Sequence, residues 1–471
     1  MDNFILKTDS YKVSHWKQYP PRTTEIYSYL EARDSAEYYD VVFFGLQYIL
    51  RRHGFVPGDR ESTARSALLK VLDEGFTENR LLAGHFGGAD MVNHAGWERV
   101  SRLGYLPVEI CAVPEGTVVP KGNVLMTIRN TDPECFWLTN YLETILMQVW
   151  YPCTVATISR QMKKVIQMAM ERSGTDGPEN LAYRLHDFGY RGSTSYESSA
   201  IGGAAHLVNF RGTDTLSALE LVDEYYNDRS GVAAGHSIPA AEHSTITAWG
   251  EENEEGAYWN MLTQFPEGLV AVVSDSWDID RAVRDLWAVR LVNQVNGRKG
   301  TVVIRPDSGD PCAVLPRVLA ALWEAYEGHV NRKGYKVLSD RVRVIQGDGI
   351  TRHSLAEILD AVMDAGWSAD NVSFGSGGGL LQTCTRDTLS MAMKCSSAVI
   401  DGERRDVYKR PASDPKKNSK RGMLKLIRGA SGYETVRAEE TGNDVLRPVY
   451  RDGKLLVTDT FETIRQRARR P

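Results

Sequence analysis

The sequence predicts an α/β protein: an irregular (β/α) barrel joined to a mixed α/β sandwich domain formed by the N- and C-terminal segments. Three observations carry this. From about residue 180 onward, apolar strand-like runs end in polar loops, and most are followed by helical patterns, the alternation that produces parallel strands. Six or more such units fall within roughly 200 residues, which suits a barrel better than an open sheet. The two ends of the chain read instead as short strands separated by turns. At 471 residues the chain exceeds one ordinary core. The expected division is 1–150 with 387–471 for the sandwich and 151–386 for the barrel.

In chain order, Glu25-Ile-Tyr-Ser-Tyr-Leu-Glu-Ala-Arg33 alternates like a strand. Residues 107–128 read as several short strands, with Pro-Glu-Gly and Pro-Lys-Gly as turns. Phe136 to Trp150 and Val155 to Met170 have helical periodicity, and the first is apolar nearly all round, which places it inside. The barrel strands are expected within 182–189, 206–214, 269–276, 301–310, 342–349 and 372–379. Thr351 is placed to cap a helix from Arg352 to Asp364, with Gly366 just past its end. Lys409-Arg-Pro-Ala-Ser-Asp-Pro-Lys-Lys-Asn-Ser-Lys-Arg421 is a basic loop, after which short strands return to rejoin the N-terminal domain. The last basic run, Arg465 to Arg470, reads as a solvated helix end.

Composition narrows the function. Hydrophobic residues make up 42% and charged residues 25%, the range of globular proteins. A net charge of -5 argues against nucleic-acid binding, and no run is long and apolar enough to span a bilayer. The N-terminus lacks the pattern of a signal peptide, and the six cysteines include no Cys-x-x-Cys. A cytoplasmic protein with reduced thiols is expected.

The polar residues gather at the expected strand C-termini. Val372-Ser-Phe-Gly-Ser-Gly-Gly-Gly379 ends a strand in a loop whose backbone N–H groups suit a phosphate. Thr301-Val-Val-Ile-Arg-Pro-Asp-Ser-Gly-Asp310 and Val342-Arg-Val-Ile-Gln-Gly-Asp-Gly349 add Arg305, Asp307 and Asp348, while Asp187, Arg191, Arg211, Asp214, Asp275 and Asp278 end others. In a parallel barrel these ends share one face. Arginines suit phosphate or diphosphate oxygens, and carboxylates suit sugar hydroxyls or magnesium, so the set fits a phosphorylated sugar. Any one of these charges alone reads as a solvated loop residue. Walker A, Gly-x-Ser-x-Gly and complete Gly-x-Gly-x-x-Gly patterns are absent from the sequence. His243, between Glu242 and Ser244, is either structural or functional. Phe188, Tyr190 and Tyr11 could stack on a planar ring, although packing is the default reading for each.

At these residues the chain resembles the nicotinamide phosphoribosyltransferases, within the nicotinate/nicotinamide family of type II phosphoribosyltransferases. The resemblance rests on Thr8-Asp-Ser-Tyr-Lys-Val-Ser-His-Trp-Lys-Gln-Tyr-Pro-Pro21, His186-Asp-Phe-Gly-Tyr-Arg-Gly192, Asn209-Phe-Arg-Gly-Thr-Asp214, Pro239-Ala-Ala-Glu-His-Ser-Thr-Ile246, Ile304-Arg-Pro-Asp-Ser-Gly309, Gln346-Gly-Asp-Gly349 and Phe374-Gly-Ser-Gly-Gly-Gly-Leu-Leu-Gln382. It covers nearly the whole chain in order and implies the barrel-type phosphoribosyltransferase fold.

The resemblance also implies a reaction: nicotinamide and phosphoribosyl diphosphate give nicotinamide mononucleotide and diphosphate. It implies that Phe188 stacks on one face of the pyridine ring and Tyr11 of a partner subunit on the other, in a homodimer with active sites at the interface. Asp214 pairs with the carboxamide. Arg305 and Asp307 line the ribose and amide region, with Asp348 on the ribose hydroxyls. Gly347, Gly377 and Gly378 offer N–H groups to the 5′-phosphate. Arg191 and His243 face the diphosphate, joined from the partner by Arg33, Arg386, Lys394 and Lys417; the role of Lys409 is left open. ATP is implied as a coupled co-substrate through a phosphorylated His243. Mg2+ is implied as a cofactor held mainly by the diphosphate, with no protein ligand assigned. His236 and Trp277 stand where the family usually has tyrosine. The competing readings are a nicotinate phosphoribosyltransferase of the same class, a non-catalytic signalling or binding homologue, and a sugar-phosphate aldolase or isomerase, for which no strand-end lysine or glutamate base is evident.

Overall fold

The computed structural model describes residues 4–33, 37–56, 82–175, 178–226, 231–411, 418–429 and 432–469. The chain divides into two compact units, one comprising Ile158–Leu221 and Ser230–Thr383, the other Met1–Thr157, Val222–Arg229 and Cys384–Pro471. The sequence reading put its boundaries at 150/151 and 386/387 and gave no sign that 222–229 belongs with the second unit.

The first unit is built on six parallel strands: β1 Leu185–Asp187, β2 Gly212–Thr213, β3 Glu267–Val273, β4 Lys299–Arg305, β5 Val342–Gln346 and β6 Val372–Ser376. Their spatial order is β2-β1-β6-β5-β4-β3. One further extended segment, 236–241, bridges the two edge strands. His236 donates to the Arg211 carbonyl at 2.7 Å and accepts from the Thr213 N–H at 3.0 Å. Ala241 donates to the Ala271 carbonyl, and the Ala271 N–H donates to the Pro239 carbonyl, both at 2.9 Å. The sheet is thereby closed into a ring. The alternation of side chains along a strand turns Ala271, Val303 and Ile345 into one cluster, against which Phe188 and Ile238 pack.

Helices follow the strands as their capping residues dictate. The Thr351 side chain accepts from the Ser354 N–H, in a reciprocal capping box that starts Arg352–Asp364, and Gly366 lies beyond the end at φ 86°. Asp310 accepts from the Cys312 N–H and starts Pro311–Tyr326.

One expectation fails on local signals, and another holds only in pieces. Residues 206–210 were expected in a strand, but helix Tyr196–Leu207, started by a capping box on Ser195, runs into them and leaves only Gly212–Thr213 to pair. The stretch 136–150 is helical as expected but interrupted, as short helices Leu138–Tyr141, Glu143–Leu146 and Met147–Val149, and the long helix begins afresh as Trp150–Ser173. Pro152 accounts for the interruption just before Trp150, since a proline inside a helix clashes with the carbonyl four residues earlier but is tolerated in a first turn.

The second unit holds a seven-stranded antiparallel sheet in the order Glu403–Asp406, Met391–Ile400, Thr23–Ala32, Val124–Asn130, Val108–Ala112, Arg447–Arg451 and Lys454–Leu455. The C-terminal strands do return to the N-terminal ones. Thr23–Ala32 is buried on both faces over most of its length, more than its alternation suggested, because it is a central strand. Glu115 is buried here and caps helix Leu46–Arg52: it accepts from the Gly45 N–H at 3.1 Å, the Gln47 N–H at 2.6 Å and the Tyr226 hydroxyl at 3.1 Å. Burial pushes its carboxyl up to about 7 against the pull of those donors. The basic C-terminal run is less solvated than expected: Arg465 is buried over the Phe461 ring, and Arg467 grips Asp459 through two bonds of 2.7 and 2.8 Å. All six cysteines are free.

Candidate active site

Five of the six strands, β1, β2, β4, β5 and β6, end at one cavity of about 1090 Å³, whose wall also includes Ala271 of β3. Of the residues expected at the site, Phe188, Arg191, Asp214, Arg305, Asp307, Gly347, Asp348, Gly377 and Gly378 line it. Parallel pairing is the cause, since it brings the C-terminal ends of β1, β2, β4, β5 and β6 to one rim.

The Phe188 ring lies against β6. A Cβ on Gly375 would come within 1.9 Å of it, so the first glycine of the loop exists to admit the ring. The Arg305 guanidinium carbon is 5.9 Å from the centre of the same ring. Arg305 is held by Asp307 through Nε–Oδ1 at 3.1 Å and Nη2–Oδ2 at 2.7 Å. This two-point pair fixes the plane of the guanidinium. The Asp214 carboxylate is exposed at the rim and accepts the Ser237 hydroxyl.

After β6 the chain enters a short helix, Gly378–Leu381, with Gly377 before it. The amides of Gly378 and Gly379 fall in its first turn, outside the helix's own ladder. A Cβ on Gly379 would meet the Ile350 carbonyl oxygen at 2.4 Å, so this loop packs backbone to backbone on the one after β5. Gly349 supplies a turn there at φ 67°.

His243 begins the short helix His243–Thr247 and does not line the cavity. Its Nε2 lies 3.1 Å from Oδ1 of Asp275; the histidine side chain is 48% exposed and the aspartate 3%. A buried carboxylate thus orients a solvent-reached imidazole. Sequence reading named Asp275 only as one of several strand-end charges and missed this pairing, together with Ser237 on Asp214. The signal available was the position of each beside a strand end, without the fold that joins them.

The remaining candidates belong to the second unit. Tyr11 is 59% exposed and meets His15 edge-on at 5.0 Å. Arg33 donates to Glu31 at 3.2 Å, and Glu31 also holds Lys420. Lys394 donates to the Met393 carbonyl at 2.9 Å. Burial lowers the pKa of its ammonium; Glu143 opposes that, and the positive charges of Arg33, Lys12 and Arg386 add to it. Arg33, Arg386 and Lys394 therefore share one neighbourhood, in which Glu31, Asp387 and Glu143 partly balance their charge. Lys409 donates its N–H to the Ser419 hydroxyl at 2.8 Å, and Lys417 lies outside the described residues. Among the described residues no group of three or more His, Cys, Asp or Glu side chains could by itself hold a metal ion, and no helix is long and apolar enough to cross a membrane.

The family model for the nicotinate phosphoribosyltransferase (NAPRTase) family matches residues 183–454. The chain belongs to this family. As a member of the nicotinate phosphoribosyltransferase family it also carries, over residues 3–110, a match to the nicotinamide phosphoribosyltransferase N-terminal domain. It is 49% identical to a nicotinamide phosphoribosyltransferase of Xanthomonas campestris pv. campestris, over 99% of this chain and 98% of that one. A nicotinamide phosphoribosyltransferase of Acinetobacter baylyi is 33% identical over 99% and 97% of the two chains. The fold is shared with two crystal structures. One is a nicotinate-nucleotide pyrophosphorylase from Pyrococcus furiosus (TM-score 0.63, 13% identity, 99% of this chain and 95% of that one). The other is human nicotinic acid phosphoribosyltransferase (TM-score 0.59, 17% identity, 98% and 92%).

Proposed function

We propose that the chain is a nicotinamide phosphoribosyltransferase: it transfers the phosphoribosyl group of phosphoribosyl diphosphate to nicotinamide and releases nicotinamide mononucleotide and diphosphate, a step of NAD biosynthesis or salvage. The carrying observation is one cavity that combines an aromatic wall, Phe188, with the Asp214 carboxylate, the Arg305–Asp307 pair, Asp348 and the glycine amides. The 49% identity to a protein of that name over the whole chain supports it.

In this reading the pyridine nitrogen lone pair forms a bond to C1 of the ribose. The C1–O bond breaks, and its electron pair leaves with the diphosphate. No general base is needed, because the attacking nitrogen carries no proton. Positive charge builds on the sugar and negative charge on the leaving group. Arg191 stabilises the latter, and Mg2+ carried in on the diphosphate would supply further positive charge there. The amides of Gly347, Gly377 and Gly378 take the 5′-phosphate, and Asp348 takes the ribose hydroxyls. Asp214, oriented by Ser237, accepts from the carboxamide NH2 and repels the carboxylate of nicotinate.

The fuller reading is a cytoplasmic homodimer in which a partner subunit supplies Tyr11 to the second face of the ring and Arg33, Arg386, Lys394 and Lys417 to the diphosphate. ATP transfers its terminal phosphoryl group to His243 and leaves as ADP. Because Nε2 pairs with Asp275, Nδ1 is the nitrogen left to take the phosphoryl group in this reading. Water then hydrolyses the phosphohistidine. Product analysis with phosphoribosyl diphosphate, Mg2+ and each base, with and without ATP, tests this. Nicotinamide mononucleotide should form faster than the nicotinate product, and more so with ATP. A marked preference for nicotinate overturns the reading of Asp214.

A further inference from the structure

Beneath the rim, β1 ends in Asp187, whose side chain is fully buried. Its Oδ1 accepts the Gly189 N–H at 2.7 Å, and its Oδ2 accepts the Thr213 hydroxyl at 3.4 Å. Its main-chain carbonyl accepts the Asp214 N–H at 3.0 Å. These bonds bracket the two residues given to the base: Phe188 lies between Asp187 and Gly189, and Asp214 follows Thr213 directly. The pocket has no slack. A Cβ on Gly189 or on Gly203 would come within 3.1 Å of one or other carboxylate oxygen. An apolar side chain of similar size would fill the space but leave the buried Gly189 N–H without an acceptor. Burial pushes the carboxyl up to about 6, the hydrogen bonds from Gly189 and Thr213 pull it back, and the neighbouring charge of Asp214 raises it. His186, on the same strand, is held below the usual histidine range by burial.

We propose that Asp187 is a positioning residue for the base: it ties the loop carrying the Phe188 ring to the strand end carrying the Asp214 carboxylate and so fixes the spacing of ring wall and hydrogen-bond acceptor. It rests on the reading that this cavity binds nicotinamide. It assigns Asp187 no contact with substrate, so its loss falls first on base affinity and far less on the affinity for phosphoribosyl diphosphate, which apart from Arg191 on the same loop is held at the ends of β5 and β6.

Steady-state kinetics on the full chain tests it. Asp187→Ala should raise the KM for nicotinamide about tenfold or more, with the KM for phosphoribosyl diphosphate within about twofold. Asp187→Asn, which keeps a carbonyl oxygen for the Gly189 N–H, should restore most of the loss. Thr213→Val, which removes the weaker tie, should give about a two- to threefold rise. Equal rises in both KM values, unchanged KM values, or no rescue by asparagine overturn the proposal. If the alanine variant does not fold, the asparagine and Thr213→Val variants decide: a selective rise in the nicotinamide KM for Thr213→Val with near-normal Asp187→Asn supports it, and wild-type constants for Thr213→Val overturn it. A wild-type enzyme that makes no mononucleotide from nicotinamide sinks the functional reading instead; an active wild type with indifferent variants sinks only the role of Asp187.

Discussion

The two sides of the cavity are built from different materials. On the Asp214 side, side chains form the surface: a carboxylate steered by Ser237, an aromatic ring, and a guanidinium locked by Asp307. On the side after β5 and β6, the chain itself forms it, with glycines at 347, 349, 377, 378 and 379. Side chains discriminate, because changing one atom alters what they accept. Main-chain amides hold an anion whatever is attached to it, and they are altered only by moving the backbone. Selectivity belongs to the first side and grip to the second.

Breaking the main-chain side should give the largest effect. In Gly379→Ala the new Cβ would meet a carbonyl oxygen at 2.4 Å, and neither partner is a movable side chain. The expected outcome is a fall of about a hundredfold in kcat/KM for phosphoribosyl diphosphate, with the ratio of nicotinamide to nicotinate use unchanged. A changed ratio would erase the distinction between the sides. Asp214→Asn should do the opposite, shifting base preference toward nicotinate by about tenfold, on the order of 1–2 kcal/mol, while the KM for phosphoribosyl diphosphate stays within about twofold. Competition between the two bases reads this directly.

His243 is outside both sides. His243→Ala should abolish ATP hydrolysis and leave basal transfer within a fewfold of the ATP-free wild type; surviving ATPase activity removes His243 from phosphoryl transfer. The smallest effect on catalysis belongs to a carboxylate in the other unit. Glu115 has a folded pKa of about 7, raised from 4.5 chiefly by burial. A raised pKa means that the folded state holds its proton longer than the unfolded one. The associated stability is full below pH 4.5 and is lost as pH rises through 7, about 3 kcal/mol over that window. Glu115→Gln should flatten the pH dependence of the melting temperature between about pH 5 and 8 and leave base preference untouched.

What was legible in the sequence divides along the same line. The glycine loop, Arg305-Pro-Asp307 and Asp348 could be read because each sits at the end of an apolar run, where local pattern and position in the fold agree. Thr351 and Gly366 were readable for the same reason. Residues 206–210 were not, because their apolar character suits a strand and only Ser195, eleven residues upstream, announces the helix. Asp187 as a tie, Asp275 behind His243, and the need for Gly375 beside Phe188 were also out of reach: each depends on atoms 2 to 187 positions apart being brought together by folding. The excursion at 222–229 left no local mark either.

The ring of strands is closed by its least regular member. β3 and β4 pair along their whole length, whereas 236–241 meets each neighbour through a single isolated bridge and contains Pro239, which has no N–H to give. A hoop opens first at its clasp. Amide hydrogens of His236 and Ala241 should therefore exchange with solvent sooner than those of Val303 or Val344. The same six residues carry Ser237 at one end and run at the other into Glu242 and His243. The catch of the hoop, the residue steering the Asp214 carboxylate, and the histidine proposed to take phosphate are parts of one short strap of chain.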